Sequence, residues 1–149
     1  MKRVVGYSMV LLALAAVFGS VSVASASGRM QIQEIFYNSP GPDTGSNTSL
    51  NGEWVMVENS TAKTKALKGW TLRDAAGHIY HFPSSYTLGP DQRVRIHTGK
   101  GSDTQANLYW GRSSYVWNND KDTAKLKRPN GTVADKCSYN DPSTSFKIC

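Results

Sequence analysis

Arg93-Val94-Arg95-Ile96-His97 alternates charged or polar with apolar side chains one for one, and this period of two decides the fold class. On a strand it sends Val94 and Ile96 inward and leaves Arg93, Arg95 and His97 to solvent. The rhythm recurs in Ala124-Lys125-Leu126-Lys127, where Lys125 and Lys127 face outward and Arg128 follows. Extended slightly, these runs give candidate strands over Arg93 to Thr98 and Thr123 to Lys127. Others are Met30 to Tyr37, Glu53 to Glu58, Trp70 to Arg73, Ile79 to Phe82, Leu108 to Trp110, Ser114 to Trp117 and Thr132 to Lys136. Between them stand Asn51-Gly52, Ala76-Gly77, Gly89-Pro90 and Asn130-Gly131, residues that make tight turns cheaply. No stretch holds a helical period long enough for a helix. About nine short strands spaced roughly ten residues apart suit an all-β fold of two packed sheets, with a barrel as the alternative.

Outward from these strands lie two polar segments. Residues 38–51 (NSPGPDTGSNTSLN) are expected to form a mobile surface loop, and residues 140–149 a C-terminal tail. At the other end, Lys2 and Arg3, the apolar run from Met9 to Phe18 and Ala24-Ser25-Ala26 have the pattern of a secretory signal peptide cleaved after Ala26. Such cleavage leaves residues 27–149 as one domain with no membrane span, and points to a secreted, extracellular protein. It also lowers the net charge from +6 to +4, because 15 Lys and Arg then face 11 Asp and Glu. That excess permits attraction to nucleic acid or another anionic polymer without requiring it. In an oxidising compartment Cys137 and Cys149 are expected to form a disulfide that fastens the tail.

Few residues point to catalysis. His78 and His81 are three apart, which places them on opposite faces of a strand and makes them a poor metal pair. Asp120-Lys121-Asp122 lacks the glycine and closing glutamate of a calcium loop and reads as a hairpin turn. Gly99-Lys100-Gly101-Ser102 ends a strand instead of opening a helix, so it is a turn and not a phosphate loop. No serine sits in a Gly-x-Ser-x-Gly elbow. These absences favour a non-enzymatic binding module with no cofactor.

Several motifs recur in order along the chain: Gly52-Glu53-Trp54-Val55, Gly69-Trp70-Thr71-Leu72-Arg73-Asp74, Tyr109-Trp110-Gly111 and Val116-Trp117-Asn118-Asn119. Glu34-Ile35, Tyr37-Asn38, Leu88-Gly89-Pro90 and Lys127 to Gly131 fit the same series. From about Gln31 to Tyr139 the chain resembles the lamin tail domain, in particular its short exported bacterial form. The resemblance implies an immunoglobulin-like β-sandwich with no known active site, used in lamins for contacts with proteins and nucleic acid. By their own residue pattern, Trp70, Trp110 and Trp117 are expected to fill the space between the sheets, where an aromatic ring buries a large apolar area and the indole N–H finds a carbonyl.

Two surfaces remain as candidates. Arg93, Arg95, Lys125, Lys127 and Arg128 would form one positive face for a polyanion if their strands share a sheet. Lysine-rich strands also keep sheet edges from pairing with other chains, and that solubility role stands ahead of nucleic-acid binding. In Glu53 to Glu58, Val55 and Val57 take one side and Trp54 and Met56 the other. Coverage of Trp54 and Met56 by the loop or the tail is the favoured reading, and an exposed apolar contact with a protein or cell-envelope partner the alternative.

Overall fold

The structure is a computed structural model that describes residues 28–149. The expected signal peptide, residues 1–26, lies outside the described residues. In chain order the elements are β1 (Met30–Phe36), α1 (Asn47–Leu50), β2 (Trp54–Asn59), β3 (Lys65–Ala66), β4 (Thr71–Arg73) and β5 (Ile79–His81). There follow β6 (Thr87–Leu88), β7 (Arg93–His97), β8 (Asn107–Tyr109), β9 (Lys121–Lys127), β10 (Val133–Asn140) and β11 (Phe146–Ile148). One sheet has five strands in the order β11-β1-β2-β7-β8 and the other four in the order β10-β9-β4-β5, with β3 and β6 paired as a small ribbon. The fold is an immunoglobulin-like β-sandwich.

Alternation explains which side chains meet between the sheets. Ile35, Val55, Val57 and Ile96 from the first sheet and Leu72, Ala124 and Leu126 from the second are all at most 1% exposed. Trp117 fills the same core at 1% exposure, and Trp110 packs edge-on against it at 6.2 Å between ring centroids. Tyr37 and Tyr139 stack at 3.9 Å across the β1–β10 side. Burying one such large apolar side chain contributes about 1.5–3 kcal/mol to the stability of the sandwich.

Four features differ from the expectations. Ser114 to Trp117 is irregular, because its backbone turns to meet the Glu53 carboxyl: the Val116 amide donates to Glu53 Oε2 at 3.2 Å. Trp117 Nε1, expected to find a carbonyl, has no partner among the described residues. Residues 38–51 are pinned instead of loose. Ser46 caps α1 by accepting from Ser49 N, and the Asn47 and Asn51 amides each donate to Lys100 O at 2.9 Å. Finally, part of the supposed tail is the strand β11. Cys137 and Cys149 form the expected disulfide, with 5.8 Å between Cα atoms, and it secures the end of β11 against β10.

Candidate functional site

The outer face of the five-stranded sheet is set by register. Antiparallel pairing of β11, β1, β2 and β7 and parallel pairing of β7 with β8 align Phe146, Phe36, Trp54, His97 and Tyr109 in one row across all five strands. Alternation sends every member of this row outward, because their chain neighbours Ile35, Val55, Ile96 and Leu108 are in the core. The rings stack on one another: Phe36 lies 5.4 Å from Trp54 and 6.1 Å from Phe146, and His97 lies 5.0 Å from Tyr109. The Arg95 guanidinium sits 4.8 Å from the Trp54 ring centre, a cation–π contact. A second row runs parallel to the first: Ile148, Glu34, Met56, Arg95 and Asn107.

The 38–51 segment reaches this face only at its His97 end, where Asn51 O lies 2.9 Å from His97 Nδ1. The tail lies beside β1 as an edge strand, and it adds Phe146 and Ile148, 45% and 60% exposed, to the apolar surface. Trp54 and Met56 therefore belong to a broad stripe, and the covering expected from the sequence is corrected.

The five basic residues do not make one face. Arg93 and Arg95 lie on β7 in the five-stranded sheet, whereas Lys125 and Lys127 lie on β9 in the four-stranded sheet, so the two pairs point out of opposite sides of the sandwich. Arg93 is also occupied, since its Nε donates to Glu58 Oε1 at 3.1 Å, and Glu58 Oε2 accepts from Gln31 and Gln33. Arg128 holds the β9–β10 hairpin through Nη1 to Val133 O at 3.0 Å. Lys125 has different neighbours. Register puts it between Lys136 on β10 and Arg73 on β4, and no carboxylate occupies an outward paired position in that sheet.

The groups that resemble catalytic ones are held in structural bonds. Asp74 closes the β4–β5 turn, accepting from the Gly77 and His78 amides at 2.8 and 2.7 Å and contacting His78 Nδ1 at 2.5 Å. Asp122 accepts from Ala75, Asn118 and Thr123 amides, which accounts for its burial in place of a calcium ion. Among the described residues no group of three or more His, Cys, Asp or Glu could hold a metal.

Glu53 is the residue whose role the sequence reading missed. It is 1% exposed, and burial pushes its carboxyl up to about 7. The Val116 and Trp117 amides and the Thr98 hydroxyl pull the other way, and the Asp43 charge adds to the rise. Its position carried a signal, since Glu53 shares the parity of Val55 and Val57 and so the inward side of β2.

A family model described as the Lamin Tail Domain matches residues 23–141. No curated protein matches the chain. The immunoglobulin-like fold of that family is in general a non-catalytic interaction or structural module. Over its matched residues, which take in both sheets as far as β10, the chain belongs to the lamin tail domain family.

Proposed function

We propose that the protein is an exported, non-catalytic binding module that contacts a protein or cell-envelope partner through the outer face of its five-stranded sheet. The observation that carries this reading is the outward aromatic row from Phe146 through Phe36 and Trp54 to Tyr109, half-buried at its centre and exposed at the Phe146 end. Aromatic rings already stacked on one another lose little side-chain freedom on contact, and Arg95 supplies a charge beside them.

A second reading is supported by Lys136, Lys125 and Arg73, which adjoin one another across three strands on the opposite outer face, with Lys127 beside them. Such a row attracts nucleic acid or another anionic polymer, and its affinity falls steeply with salt.

One experiment separates the two. In a pull-down from the envelope fraction, Trp54→Ala is expected to reduce capture at least about tenfold, as loss of a central aromatic anchor does. The K125E/K127E variant is expected to bind as the wild type, and rising salt to change little. Capture that ignores Trp54→Ala but disappears with salt or with K125E/K127E favours the polyanion face. No capture by the wild-type protein contradicts the contact role.

A further inference from the structure

The second row of the five-stranded sheet has a symmetry that identifies one occupant for the face. Across β1, β2 and β7 it reads Glu34, Met56, Arg95, so a carboxylate and a guanidinium flank a central methionine on adjacent strands. Among the described residues neither Glu34 nor Arg95 has an ion-pair partner, whereas Arg93, Glu58, Arg29 and Asp135 do. A two-fold axis parallel to β2 and lying just above the face leaves position along the strand unchanged and exchanges the two sides of the sheet. It sets β1 of one copy over β7 of the other.

Under that operation Met56 meets Met56, and each Glu34 comes opposite the Arg95 of the second copy. In the aromatic row Trp54 meets Trp54, Phe36 comes opposite His97 and Phe146 opposite Tyr109. We propose that the outer face of the five-stranded sheet packs against the same face of a second copy of this chain, as a symmetric sheet-on-sheet dimer closed by two Glu34–Arg95 pairs. This rests on the reading of that face as the contact surface and adds the identity of a partner.

The size of the face limits the class of interface it can form. Five strands spaced about 4.8 Å apart and two or three outward rows about 7 Å apart cover less than the roughly 800 Å² per partner of a standard interface. The dimer therefore belongs to the small, weak class of interfaces.

Sedimentation equilibrium over a concentration series tests it. The wild-type protein is expected to dimerise, and Glu34→Arg and Arg95→Glu are each expected to weaken the dimer about tenfold or more, because like charges then meet across the axis. The double variant E34R/R95E restores the pairing and is expected to return within about threefold of the wild type. Thermal melts confirm that each variant is folded. A wild type that stays monomeric to millimolar concentration, single variants that leave dimerisation unchanged, or a double variant that fails to recover overturns the dimer. A monomer that still captures an envelope protein through Trp54 overturns the dimer alone, and one that captures nothing overturns the contact face as well.

Discussion

Glu53→Gln is expected to remove a loss of stability that the wild-type protein undergoes as pH rises from 4.5 towards about 7. The buried carboxyl has its folded-state pKa above its unfolded value of 4.5, so the folded protein holds this proton more tightly. The stabilisation from protonation is complete below the unfolded value and is lost as pH rises through the folded one. A shift of this size corresponds to about 3 kcal/mol at most, at 1.36 kcal/mol per pH unit. Glutamine keeps an acceptor for the Val116 amide and has no proton to lose. Urea unfolding at several pH values should show the stability difference between variant and wild type growing by up to about 3 kcal/mol across the window. A difference that stays constant from pH 4.5 to 8 contradicts the assignment. Glu53→Ala serves as the companion: it leaves the Val116 amide without its acceptor and opens a cavity, and should cost about 2–4 kcal/mol below pH 4.5, a cost that shrinks across the same window because the wild type loses its own stabilisation there.

Replacing both Cys137 and Cys149 by serine should cost about 3 kcal/mol, the chain freedom restored when a loop of this length opens. For a domain of this size that lowers the melting temperature by roughly 10 °C. The effect is also local. Cys149 N donates to Gln33 O at 2.9 Å and Tyr37 N to Ser145 O at 3.0 Å, so β11 is held by short backbone pairing and by the disulfide. Without the disulfide, Phe146 and Ile148 detach more readily from the outer face, and β1 gains a free edge. Amide exchange in the serine variant should speed up first at Ile35 in β1 and at Tyr37 just after it, the positions beside β11. Equal acceleration throughout the fold would show instead that β11 does not depend on the disulfide.

Local pattern told the faces of strands well and their neighbours poorly. In β7 and β9 the period of two placed Val94, Ile96 and Leu126 in the core and Arg95 on the surface, as observed. This works because a half-buried strand must alternate. Which sheet a strand joins depends on pairing with residues far along the chain, so Arg95 and Lys125, identical in local context, lie on opposite outer faces. β3 and β6 have two residues each, too few for a period to register. β11 follows a polar turn and is a strand because β1 offers it an edge and the disulfide secures its end. The family motifs mark mostly interior and turn residues: Trp117, Leu72, Asp74 and Glu53 are all buried. The proposed contact row combines two motif residues, Trp54 and Tyr109, with Phe36, His97 and Phe146, which register alone brings to it.

Oxidative footprinting of the protein with and without the envelope fraction tests the proposed contact face most directly, because Trp54 and Met56 both react readily and lie one in each of the two outward rows. Protection of Trp54, Met56 and Phe36, with Lys125, Lys127 and Lys136 still open to acetylation, is the result expected of a contact made by the five-stranded sheet. Unchanged oxidation of Trp54 and Met56 in a fraction that demonstrably binds the protein would contradict it.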